Sequence, residues 1–157
     1  MTVAIVEDEL PAITAFANRK GWQPSWTPQR LLLVFTGRHP RTGETLMIEA
    51  DVERYRTFPP IWKIFVAREG QRGMCIPNPG KLPNKIGSIF HTGNNVICAP
   101  FNRLAYKCHG GPHADWSGPE NWLNVVQPGQ VRESEIAGML STILLHLQYS
   151  EDIKYVG

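Results

Sequence analysis

Cys98 sits in the run Val96-Ile97-Cys98-Ala99-Pro100, with β-branched residues before it and a proline turn after it. A cysteine thiolate accepts acyl groups, and a rigid turn is expected to present the sulfur at the surface. The plain alternative is a buried core cysteine, the commoner state of a lone thiol. Cys75 and Cys108 lack such a setting and read as structural. Attack on a carbonyl builds negative charge on its oxygen, which calls for a nearby donor. Asn102 follows the thiol by four residues, and Asn94 and Asn95 precede it. Asn102 is the preferred donor, although loop asparagines commonly satisfy turns instead. Further on, GGPHADW places His113 and Asp115 one residue apart, with Trp116 adjoining. In an extended segment this spacing puts both side chains on one side. Such a pair can move a proton or orient an incoming amine. Alternatively, the loop is a solvated one whose polar groups bond their own backbone.

The same residues support other chemistries. A cysteine hydrolase would use Cys98 as nucleophile, His113 as base, and Asp115 or an asparagine as orienter. Cysteine peptidases usually set the nucleophile at a helix start, and Pro100 followed by FNRLAY begins no obvious helix. Zinc could draw on Cys75, Cys98, Cys108, His109 and His113, but their spacings match no ligand knuckle.

These residues need a frame. DELPAITAFANRKGW reads as a helix with Asp8 as cap, Pro11 in the first turn, an apolar stripe of Leu10, Ile13, Phe16 and Ala17, and Gly21 as stop. Arg30 to Thr36 is an apolar run, and GRHPRTGE has hairpin-loop chemistry. From Leu46 to Glu53 apolar and polar residues alternate, the pattern of a half-buried antiparallel strand. Phe58-Pro59-Pro60 interrupts the chain before a third strand, Ile61 to Ala67. Consecutive strands at hairpin spacing predict a meander rather than βαβ units. From Gly70 to Gly129 the chain is rich in Pro and Gly, with short extended pieces only at Ser88–His91 and Asn95–Ile97. Long irregular segments in compact domains are usually functional, so the site is expected there. Ile136, Met139, Leu140, Ile143, Leu144 and Leu147 form one helical face that is expected to cover the sheet, with Ser134 as N-cap. The tail SEDIKYVG shows no further helix. The expectation is an α+β chain, 1–157, forming one domain.

Composition narrows the classes. At 157 residues the chain can bury a core without disulfides or metals. Sixteen Lys and Arg against fourteen Asp and Glu leave a charge of +2, too little to argue nucleic acid. The nearest basic grouping is the scattered Arg68, Arg72, Lys81 and Lys85. The opening MTVAIVEDELPAI lacks a basic leader and a long apolar core, and no run of about 18 apolar residues exists. Three cysteines without CxxC spacing suit a reducing compartment. A cytoplasmic protein without membrane contact is expected. No phosphate-binding glycine loop is present, so no cofactor is expected.

Taken in order, helix, meander, Pro-Pro bend, strand, cysteine-bearing irregular segment and helix resemble the ubiquitin-conjugating (UBC-like) superfamily from about Glu9 to Leu147. Phe58-Pro59-Pro60 before IWKIF is similar to the family's Tyr-Pro-x-x-Pro-Pro bend, and IFHTGNNVIC is similar to its His-Pro-Asn…Gly…Ile-Cys run. The missing proline of that run, the seven residues from His91 to Cys98 and a shortened C-terminus place the resemblance with the divergent prokaryotic branch. Some of that branch accompanies cyclic-oligonucleotide antiphage synthases or ubiquitin-like operons. The resemblance implies a transferase that holds the C-terminal glycine of a donor protein as a thioester on Cys98 and passes it to an amine, in bacterial antiphage defence. The donor would be a ubiquitin-like protein or a synthase tail, activated by a separate enzyme. A catalytically inactive scaffold of the same fold is the other implication.

Overall fold

Leu46, Ile48 and Ala50 alternate with Met47, Glu49 and Asp51, and the structure buries the first set completely. The structure is a computed structural model that describes residues 1–83, 86–125 and 133–157. The sheet strands are β1 (Gln23–Thr27), β2 (Leu32–Arg38), β3 (Thr45–Asp51), β4 (Ile61–Arg68) and β5 (Gln71–Pro77). Two short strands, β6 (Phe90–His91) and β7 (Val96–Ile97), form a separate hairpin. Helix α1 (Thr2–Arg19) opens the chain, and α2 (Ile136–Gln148) precedes a last strand, β8 (Ile153–Tyr155). The main sheet runs β1-β2-β3-β4-β5-β8, antiparallel throughout.

Register places like with like. Phe35 pairs with Ile48, Ile48 with Ile64, and Ile64 with Cys75, so one buried row crosses four strands. Because side chains alternate with a period of two, a one-residue slip would carry this whole row to the solvent face. Val6, Ile13 and Ala17 of α1 and Ile136, Met139, Leu140, Ile143 and Leu147 of α2 complete the core. Full burial of each large aliphatic side chain stabilises the fold by about 1.5–3 kcal/mol.

Several expectations change. Helix α1 starts at Thr2, six residues before Asp8, so Asp8 is no cap and Pro11 lies inside the helix. Proline there leaves the exposed Glu7 carbonyl without its intrahelical donor, a loss that water can make good. Helix α2 packs against α1, and its buried face joins the same core cluster as the sheet. Its first amide, Ile136 N–H, donates to Glu9 Oε1 of α1 at 2.8 Å, which replaces the expected cap at Ser134. That contact also sets a carboxylate at a helix N-terminus, where the helix dipole favours it. Strands β1, β5 and β8 were not expected; β8 forms on an edge of β5 that the sequence pattern does not reveal. Lys85 and the end of the Gly70–Gly129 segment lie outside the described residues. Among the described residues, no helix is long and apolar enough to cross a membrane.

Candidate active site

The cysteine-bearing segment is held to the sheet by side chains that reach backbone. After β7 the Cys98 amide donates to Ile89 O at 2.6 Å, which continues the β6–β7 hairpin by one step. Ile89 N–H in turn donates to Nδ1 of the buried His146 on α2, at 3.2 Å. Asn102 is fully buried. Its Oδ1 accepts from Trp62 N–H at 3.0 Å and from Leu104 N–H at 3.4 Å, and its Nδ2 donates to Ile97 O at 2.8 Å. The carboxamide therefore substitutes for a neighbouring strand at the start of β4, before its pairing with β5 begins, and fastens the residue before Cys98. Arg103 fixes the next step, with Nε donating to Pro59 O at 3.1 Å and its amide to Pro60 O at 3.0 Å. The Phe58-Pro59-Pro60 bend thus serves as an anchor for this segment.

The segment then doubles back. Two 3-10 turns, Arg103–Ala105 and Lys107–His109, flank Tyr106, whose hydroxyl donates to Pro100 O at 2.8 Å. His113 N–H donates to Ala105 O and Lys107 N–H to His113 O, both at 3.1 Å, which pins the histidine backbone beside Tyr106. Gly111 makes this return possible, because a Cβ there would collide with the Leu104 and Ala105 carbonyls. The His113 ring lies parallel to the Trp116 indole with centroids 3.6 Å apart, and Tyr106 meets Trp116 edge-on at 5.2 Å.

Cys98 Sγ lies 2.7 Å from His113 Nε2, and His113 Nδ1 lies 3.1 Å from Asp115 Oδ1. With Asp115 ionised, Nδ1 carries the proton and donates to the carboxylate, which leaves the Nε2 lone pair to accept from the thiol. Only 9% of Cys98 is exposed, against 20% of the His113 side chain and 65% of that of Asp115. The expected surface thiol is instead a covered one, with the more exposed imidazole beside it. Burial, and secondarily the Asp115 carboxylate, push the Cys98 thiol up to about 11. Both effects favour the protonated thiol, and His113 Nε2 is placed where an imidazole can accept that proton. A cavity of about 270 Å³ opens between β4, β5 and the hairpin, lined in part by Ile64, Met74, Val96, Ile97, Leu104 and Gly110. It abuts both the strand that leads to the thiol and the turn that leads to the imidazole.

The structure brings Cys98, His113 and Asp115 together and does not bring Asn102 to the thiol as a donor. Both ends of the Asn102 carboxamide are engaged with backbone, so it is not free to be the oxyanion donor that the sequence suggests. The other two asparagines belong to the hairpin turn. Asn94 N–H donates to His91 Nδ1 at 3.1 Å, and Asn95 takes a φ of +55°. The backbone near the thiol is also committed, with Cys98 N–H on Ile89 O and Ala99 N–H on Ile97 O. Cys75 is buried in β5, Cys108 is exposed, and among the described residues no three His, Cys, Asp or Glu side chains are grouped as metal ligands. Sequence reasoning missed the parts of Gly111, Trp116 and His146, and only the Gly-Gly-Pro before His113 hinted at a close return. No family model, curated protein or solved structure matches this chain.

Proposed function

We propose that this chain is an acyl-transfer enzyme that carries its acyl group as a thioester on Cys98, with a UBC-like fold of the divergent prokaryotic kind. The observation that carries the reading is the Cys98–His113–Asp115 relay, at 2.7 and 3.1 Å. Sulfur attacks the donor carbonyl as its proton passes to His113 Nε2, and the donor's leaving group departs with that proton, which leaves the imidazole neutral for the next step. An acceptor amine then attacks the thioester, gives a proton to His113, and displaces the Cys98 sulfur, which is reprotonated. Asp115 holds the imidazole in the required tautomer throughout. The acyl donor is a protein C-terminal glycine, from a ubiquitin-like protein or a cyclic-oligonucleotide synthase tail, and the setting is antiphage defence. These last assignments rest on the resemblance in element order and on the Pro-Pro and Ile-Cys runs.

The second reading, a cysteine hydrolase, is favoured by the same oriented imidazole, which can protonate a leaving amine and later activate water. One experiment separates the two. Wild type and Cys98→Lys are expressed beside the native operon and searched by mass spectrometry for a covalent protein adduct. An adduct on the substituted lysine is expected, and its mass identifies the donor. Turnover of simple esters by wild type, with no adduct on either protein, would instead establish the hydrolase.

A further inference from the structure

The His113 imidazole has two kinds of neighbour, and only one kind lies in its plane. Cys98 and Asp115 meet its two nitrogens, while the Trp116 indole covers one face, parallel and 3.6 Å away between centroids. We propose that Trp116 is a positioning residue for acyl transfer, which holds the imidazole in line with Cys98 and stabilises the imidazolium formed when the thiol gives up its proton.

The stack is built into the fold. Trp116 is 8% exposed, and the edge of Tyr106 packs on it while the Tyr106 hydroxyl ties back to Pro100. Backbone hydrogen bonds, from His113 N–H to Ala105 O and from Lys107 N–H to His113 O, hold the imidazole at that depth. An aromatic face attracts a cation through its quadrupole, most strongly for indole and more so away from water. A neutral imidazole gains far less from the same face, so the contact strengthens as the proton moves from sulfur to nitrogen. That difference is what a rate-enhancing interaction requires. It acts alongside Asp115, the charged group at the other nitrogen. Among the described residues Tyr106 packs on this side, and Cys108 and Glu120 act on it electrostatically. The Tyr106 phenol is held neutral by burial, so none of its own charge competes for the imidazolium.

The inference rests on His113 acting as the proton acceptor for Cys98, and the two claims fail differently. Proteins carry Cys108→Ser so that the exposed thiol does not confuse the readout. The His113 titration is followed by NMR, and Cys98 alkylation by iodoacetamide is followed across pH 5 to 10. Replacement Trp116→Leu is expected to lower the His113 midpoint by about half to one and a half units and to slow alkylation at pH 7 about three- to tenfold. Trp116→Phe keeps a face with a weaker quadrupole and is expected to fall between, which preserves the test if the leucine variant folds poorly. An unchanged His113 titration in Trp116→Leu and Trp116→Phe overturns the role of Trp116. A wild-type alkylation rate in His113→Gln overturns the underlying assignment of His113.

Discussion

The sheet and the cysteine-bearing segment are held by different forces. In β2 to β5, alternation buries a continuous apolar row, and backbone ladders satisfy the amides regardless of side-chain identity. From residue 86 to 125 the regular structure is only the two-residue strands β6 and β7 and short 3-10 turns. There the backbone is fixed by particular side chains, namely Asn102, Arg103, Tyr106 and His146. The sheet therefore resembles a sum of many interchangeable contributions. The segment depends on a few groups that cannot be exchanged, and it carries Cys98.

The sharpest test of that difference lies in the segment. His113→Ala is expected to lower acyl transfer or Cys98 alkylation by about a hundred- to ten-thousandfold, the usual range for a lost general base. Its cost in stability by urea unfolding should stay below about 1 kcal/mol, since the side chain is partly exposed. A rate within a few times that of wild type would remove His113 from the chemistry.

Next in size is a substitution in the sheet. Ile48 is fully buried, and Ile48→Ala should cost about 3–4 kcal/mol in urea unfolding through lost burial and a residual cavity. The folded fraction should keep its alkylation rate within about twofold. A large loss of reactivity in fully folded protein would show that the two regions are not separable.

Asn102→Ala should fall on both sides of the divide. It strands Trp62 N–H and Ile97 O in the interior, which is expected to cost about 2–3 kcal/mol. Alkylation should also slow, because Ile97 precedes the nucleophile. Stability loss with unaltered reactivity would limit Asn102 to holding the start of β4.

The smallest effect is set by pH. Burial lowers His146 from the ordinary imidazole range to about 4 and lowers His39 in the same direction. The unfolded chain thus takes up protons that the folded chain refuses between about pH 6.5 and 4. The stability that these groups contribute is full above that window and is lost as pH falls through it. His146→Gln keeps an acceptor for Ile89 and should flatten that part of the curve. An unchanged acid slope in the variant would assign the loss to other groups.

What could be read in the sequence follows the same division. The alternation of Leu46 to Val52 depends on one strand's own residues, so it was legible, as was the apolar face of α2. Strand β5 was hidden because Gly73 and Pro77 break the strand signature. Gly73 leaves room for the Tyr155 ring, and Pro77 lies at the end of the strand, beside β8. The partner of α2 was hidden as well, since periodicity identifies a buried face and says nothing of what covers it. At the site, the i, i+2 relation of His113 and Asp115 is local and could be read. The hydrogen bonds of Asn102 span 40 residues to Trp62, and residue type alone shows only that donors exist.

The protonated state of Cys98 has a bearing on how the protein endures oxidants. Peroxide reacts with thiolates, and a sulfur covered to 9% exposure and pushed up to about 11 offers very little of one at rest. Cys108, exposed on the neighbouring turn, meets dissolved oxidant first. Cys98 is thus shielded from oxidation to sulfenic acid for as long as its sulfur keeps the proton.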